Sequence, residues 1–148
     1  MGKNIIVASN LIKKDGKYLV VKEIKEKIKG KYNFPSGHQD NNETLIECAI
    51  RETKEESGLN IKPSKIVALF QIPTTKSKNN LLMVVFKSEI ISGELTTSEK
   101  HPEVKFVSLE EIKKLEKNNL IRHGDCILSA INRYENNESI NLDFLKIF

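Results

Sequence analysis

Apolar residues fall along this chain in two patterns, short β-branched runs and longer stretches of helical period. Residues 4–8 carry Ile5, Ile6 and Val7, and residues 17–22 carry Tyr18, Leu19, Val20 and Val21. Both are expected as strands, joined by a hairpin turn at Lys14, Asp15 and Gly16. Residues 65–72 and 81–90, rich in Val, Ile, Leu and Phe, read as two more strands, with Pro73 and the polar run 74–80 between them. Residues 104–107 fit a further short strand. Helical spacing marks residues 44–57, 109–117 and 121–134. Hairpins interleaved with crossovers point to an α/β layered domain with a mixed sheet. No repeat, low-complexity tract or linker divides the 148 residues, so a single domain over 1–148 is expected.

Composition narrows the class. A hydrophobic content of 39%, a charged content of 30% and a mean hydropathy of −0.38 exclude a disordered polyelectrolyte. No apolar run approaches the roughly 18 residues of a membrane helix. The first apolar stretch is broken at Ser9 and Asn10, unlike a secretory signal, so a cytoplasmic protein with no membrane partner is expected. Cys48 and Cys126 form no C-x-x-C pair and have no histidine at zinc-site spacing, and Cys48 fits a small buried hydrophobe.

Charge is unevenly spread. Residues 13–31 hold eight lysines against Asp15, Glu23 and Glu26, whereas residues 37–59 hold six carboxylates against Arg51 and Lys54. A basic segment followed by an acidic one suits a polyanionic ligand with a cation between it and the carboxylates. The lysines alone also suit an RNA-binding module, but no base-stacking motif accompanies them, so a nucleic-acid partner is not expected. Nothing in the pattern excludes a homo-oligomer.

The acidic helix carries the strongest chemical signal. Ile46, Ala49, Ile50 and Thr53 have the spacing of a core-facing stripe. A second stripe, Glu52, Glu55 and Glu56, lies at i, i+3 and i+4, and Gly58 follows as a helix stop. Like charges at that spacing cost about 0.2–0.5 kcal/mol per pair, and anions in a last turn about 0.3–1 kcal/mol each. The strain, on the order of 1–2 kcal/mol, is relieved by a divalent cation, because hard ions take carboxylate oxygens and bridge them to phosphate. Ahead of the helix, Pro35, Ser36 and Gly37 open a tight polar loop in which Gly37 could bring its carbonyl to a metal.

The stretch from Gly37 to Leu59 resembles the Nudix box, G-x5-E-x7-R-E-U-x-E-E-x-G-U with U aliphatic. Gly37, Glu43, Arg51, Glu52, Glu55, Glu56, Gly58 and Leu59 fall in register, and Thr53 alone departs, standing where an aliphatic residue is usual. The resemblance implies an α/β/α sandwich around a mixed sheet, and hydrolysis of a nucleoside diphosphate linked to another moiety, with Mg²⁺ or Mn²⁺ bound. It also implies that Glu52, Glu55 and Glu56 hold the metal, with one of them open to act as base, and that Glu43 and Arg51 orient loop and helix. Residues 33–38 and the tail 120–145 resemble more loosely the phosphatase branch of that family, which removes terminal phosphate from nucleoside tri- and diphosphates.

The expected function is therefore metal-dependent hydrolysis of phosphoanhydride bonds in a nucleotide or related diphosphate, with orthophosphate as product. The alternatives are pyrophosphate release, cleavage of an ADP-ribose-like substrate, and a metal-dependent regulatory module without turnover. Outside the box, Glu103 is the expected further catalytic carboxylate and Glu99 the second choice. Arg122, followed by His123, is a candidate phosphate contact. Phe34, Phe70 and Met83 are candidates to stack on a base. His101 reads as a plain loop residue.

Overall fold

A computed structural model describes residues 2–73 and 78–148. The first strand, β1 (Asn4–Leu11), is followed by a hairpin of β2 (Lys13–Lys14) and β3 (Lys17–Lys22), closed at Asp15 and Gly16 as the sequence predicts. Two short strands, β4 (Tyr32–Asn33) and β5 (Ser36–His38), lead into helix α1 (Leu45–Ser57). The long strands β6 (Asn60–Pro73) and β7 (Asn80–Ser92) come next, then β8 (Val104–Val107), α2 (Leu109–Lys117), α3 (Gly124–Glu135) and the two-residue β9 (Ile140–Asn141). Part of the polar run 74–80 lies outside the described residues.

The strands form two sheets. The larger runs β5-β1-β7-β6-β9, and its β1–β7 pair is parallel while the others are antiparallel, so the sheet is mixed as expected. The smaller sheet pairs β3 with β2, β4 and β8. On one face of the large sheet, Ala8, Val84 and Phe86 pack against Cys48 and Ala49 of α1. On the other face, Val7, Met83 and Val85 pack with Ile112 of α2 and Ile127, Ala130 and Ile131 of α3. These are the layers of an α/β/α sandwich.

Helix α1 begins at a full capping box. The Thr44 hydroxyl accepts the Glu47 N–H at 3.1 Å and the Glu47 carboxylate accepts the Thr44 N–H at 2.8 Å. It stops at Gly58, whose φ of 82° is left-handed and whose missing side chain leaves room for Thr96. The buried stripe differs from the expected one by about one position. Cys48, Ala49, Thr53, Glu56 and Ser57 are buried, whereas Ile50 is 37% exposed.

The reason is polar. Asn10, fully buried on β1, donates its side-chain amide to the Thr53 hydroxyl at 3.0 Å and to the Ala49 carbonyl at 3.2 Å, and accepts the Ser88 hydroxyl at 2.8 Å. Thr53 therefore fits its aliphatic position through a satisfied buried hydrogen bond. The rotation that this contact imposes turns Glu56 inward.

Candidate active site

Helix α1 presents Glu52, Glu55 and Glu56 to a cavity of about 930 Å³, together with Gly37 and His38 of β5. Arg51 organises this wall. Its Nε meets Glu43 Oε1 at 2.6 Å, its Nη1 meets Glu52 Oε1 at 2.8 Å and Glu55 Oε2 at 3.4 Å, and its Nη2 donates to the His38 carbonyl at 3.2 Å. One guanidinium thus ties the loop ahead of the helix to two of the three carboxylates. Hydrogen bonding from Arg51 holds the Glu43 carboxyl down at about 2, and the bond that Glu43 accepts from the Asp40 N–H acts in the same direction.

Gly37 is required by proximity. A Cβ there would lie 2.0 Å from Cδ of Glu52 and 2.2 and 2.5 Å from its two oxygens. The Gly37 carbonyl, the sequence-derived metal candidate, accepts the Cys48 thiol at 3.6 Å.

Glu56 is the most unusual group in the wall. It is only 4% exposed, its Oε1 accepts the Ser36 N–H at 3.2 Å, and its Oε2 has no hydrogen-bond partner among the described residues. Burial, with Glu23 and Glu52 nearby, pushes its carboxyl up to about 9. Burial also raises the Glu52 carboxyl. An orphaned buried oxygen beside two further carboxylates is the donor set a hard divalent cation satisfies. Among the described residues these groups do not already converge on one point, because Arg51 draws Glu52 and Glu55 toward itself.

Cations line the same cavity. Arg122 and His123 line it, pinned by Tyr32, which accepts the Arg122 N–H at 2.8 Å and donates its own N–H to the Leu120 carbonyl at 2.8 Å. His123 sits at a left-handed φ of 51°, a conformation that costs a non-glycine residue on the order of 1–3 kcal/mol. Lys25 lines the same cavity, and neither Lys25 nor Arg122 has a side-chain ion pair or hydrogen bond with another described residue. Their charges add to burial in lowering His38 below the ordinary imidazole value. Val7, Leu81 and Met83 supply an apolar strip.

Three of the expected site residues lie outside the lining of this cavity. Glu103 does not line this cavity. It accepts the Tyr32 hydroxyl at 2.5 Å, pairs with Lys105 at 3.0 Å and Lys22 at 3.4 Å, and faces a neighbouring cavity of about 520 Å³. Hydrogen bonds from Tyr32 and Lys105 hold its carboxyl at about 2, and Glu99, the second choice, lines the main cavity instead. Phe34 is 1% exposed in the main core and has no face to offer a base. Phe70, across from Met83 on β6, packs half-buried on that core and stands outside the cavity lining.

Two residues that sequence reasoning passed over also enter the site. Glu23, 7% exposed directly after β3, and His101, on the loop before β8, both line the cavity. His101 Nε2 lies 3.6 Å from Glu23 Oε2 and 3.6 Å from Glu56 Oε2. A carboxylate directly after the apolar run of β3 was the available signal for Glu23, whereas nothing local marks His101.

Carboxylates of one helix and the cations Lys25 and Arg122 lining one cavity, mounted on an α/β/α sandwich, suit chemistry on phosphorylated compounds. The NUDIX domain family matches residues 3–126, and the chain belongs to the Nudix hydrolases, a family that is generally dependent on divalent metal and acts on diphosphate compounds. It is 30% identical over 110 residues to an ADP-ribose pyrophosphatase of Methanocaldococcus jannaschii, a match covering 74% of this chain and 65% of that protein, just under two thirds of its length. It is 29% identical to the phosphatase NudJ of Escherichia coli strain K12, across 100% of this chain and 94% of that one. Among solved structures, a NUDIX hydrolase from Nitrosomonas europaea superposes with a TM-score of 0.87 over 98% of this chain and 97% of its own, at 23% identity, a likeness of fold. Among the described residues no helix is long and apolar enough to cross a membrane.

Proposed function

We propose that the protein hydrolyses phosphoanhydride bonds in nucleoside di- or triphosphates, or in related diphosphate compounds, and releases the terminal phosphate as orthophosphate. The observation that supports this reading is the single cavity lined by Glu52, Glu55 and Glu56 and by the unpartnered cations Lys25 and Arg122. Phosphoryl transfer depends mainly on positioning and charge neutralisation, and a phosphate chain among those groups meets both needs.

Glu52, Glu55 and Glu56, with the Gly37 carbonyl, are the residues that would hold Mg²⁺ or Mn²⁺. When bound, that ion supplies charge neutralisation at phosphate oxygens and a more acidic water. Arg51 holds Glu52 and Glu55 in register with the β5 loop. Arg122 and Lys25 grip the free end of the phosphate chain and fix how far it slides past the carboxylates. The strip of Val7, Leu81 and Met83 takes the apolar face of the nucleoside or other leaving moiety. Glu99, on the loop over the cavity, is the carboxylate outside the box that can accept a proton from water. The cytoplasm, where nucleotides are made, is the compartment this chemistry suits.

The match to the phosphatase NudJ extends through the whole chain, including α3 and the tail, and favours terminal attack. The match to the ADP-ribose pyrophosphatase favours attack on an inner phosphorus, and it leaves a quarter of this chain uncovered. Incubation with a nucleoside triphosphate and Mg²⁺, followed by direct assay of orthophosphate with and without added pyrophosphatase, separates the two. Orthophosphate is expected without the added enzyme. Its appearance only with pyrophosphatase would overturn terminal attack.

A further inference from the structure

The loop 93–103, between β7 and β8, is anchored at both ends: the Thr96 N–H donates to the Ser57 carbonyl at 2.9 Å, and the Glu103 carbonyl accepts the Lys22 N–H at 2.8 Å. Between the anchors, Ser98 and His101 close a turn, with the Ser98 N–H on the His101 carbonyl at 3.0 Å and the His101 N–H on the Ser98 hydroxyl at 3.1 Å. That turn delivers the His101 ring, itself mostly buried, to the gap between two buried carboxylates from two other elements. Glu23 directly follows β3 and Glu56 lies in the last turn of α1, and one nitrogen faces an oxygen of each at 3.6 Å.

Two buried carboxyl groups sharing a site need a polar partner between them. Among the described residues His101 is the one basic side chain within 4 Å of an oxygen of each, and Lys25, which lines the same cavity, forms no ion pair with either. The separation of 3.6 Å is too long for a hydrogen bond, so Glu56 Oε2 stays orphaned even with the ring beside it. The contact suits a group that stands in for another ligand and is easily displaced.

We infer that His101 is a positioning residue: its ring, wedged between Glu56 and Glu23, fastens loop 93–103 over the carboxylates, and it yields that place when the divalent cation binds. The inference rests on the metal-dependent reading of the same site. Cation binding and release of the loop are then one coupled event, and His101 sets the cation concentration at which the site fills. Because Glu99 and Lys100 adjoin His101, the loop's release also repositions the carboxylate assigned to water.

The test is cation binding, measured without turnover. Mn²⁺ is titrated into wild type, His101→Ala and His101→Gln and followed by loss of the free-ion paramagnetic resonance signal, with melting temperatures taken with and without Mn²⁺. Removing the competitor should tighten Mn²⁺ binding by at least about fivefold, the lower end of ordinary coupling between two events. It should lower the metal-free melting temperature and enlarge the rise that Mn²⁺ produces. The Gln variant, which keeps a donor and the fold, should lie between the other two. Unchanged binding in both variants overturns the inference, and so does weaker binding, which would make His101 a ligand. Absence of Mn²⁺ binding in the wild type overturns the metal reading and this inference with it.

Discussion

Gly37→Ala separates chemistry from stability at one atom. The added Cβ would meet the Glu52 carboxylate at 2.0–2.5 Å, so the carboxylate must retreat by about 1–2 Å to reach ordinary contact. Because the obstacle is the end of a flexible side chain rather than backbone, the fold absorbs it. Gly37 has no left-handed φ, so alanine fits its backbone and gains about 0.4–1 kcal/mol through the unfolded chain. Against this stands the Arg51–Glu52 contact at 2.8 Å, a partly exposed pair worth about 0.2–1 kcal/mol. The two effects nearly cancel, leaving a melting shift within about 2–4 °C in either direction. Displacing a catalytic carboxylate by about 1 Å, however, costs on the order of 100-fold in rate. Steady-state kinetics on a nucleoside triphosphate at saturating metal, paired with thermal denaturation, reads both quantities. A variant that melts like the wild type and turns over like it would refute the placement of Glu52 in the reaction.

Glu56→Gln should lower kcat by orders of magnitude while the metal-free melting temperature changes little, because burial already favours the neutral carboxyl and the amide keeps its shape; a large drop in stability with kcat preserved would contradict this. Glu99→Gln should slow hydrolysis more than Glu103→Gln, whose main effect should be loss of stability through Tyr32, Lys22 and Lys105; the reverse order in kcat would return Glu103 to the site. Glu43 is held at about 2 against an ordinary 4.5, so the stability its charge contributes is full above about pH 4.5 and is lost as pH falls toward 2. Denaturation of Glu43→Gln across that window should show a flatter pH dependence than the wild type, and parallel curves would count against the Arg51 pairing. Arg122→Ala should raise KM for a nucleoside triphosphate more than it lowers kcat, and an unchanged KM would remove Arg122 from phosphate binding.

What the sequence made legible was whatever depends on neighbours along the chain. The Asp15-Gly16 hairpin, strand β3, helix α2 and the start and stop of α1 follow from local turn chemistry, apolar period and capping, and the structure has them where they were expected. The carboxylates of α1 were legible because their spacing opposes helix stability. Strands β1 and β6 run several residues beyond their apolar runs because pairing with β7, rather than composition, sets their length. Ile50 was misread because a buried Asn10 on a distant strand fixes how α1 is rolled. The surroundings of Glu103 were illegible for a related reason: its three partners come from β3, β4 and β8, and only the folded sheet brings them together beside it. His101 reaches Glu23 and Glu56 from 78 and 45 positions away in sequence, contacts that no local period encodes.

Hydrolysis of a nucleoside triphosphate in ¹⁸O-enriched water, with every phosphorus product read by mass spectrometry, tests the proposed function most directly. With Mg²⁺ present, terminal attack predicts ¹⁸O in the released orthophosphate and none in the nucleotide, and no labelled product in excess chelator. Label found in the nucleotide monophosphate with unlabelled pyrophosphate, or orthophosphate formed unabated under chelation, would contradict it.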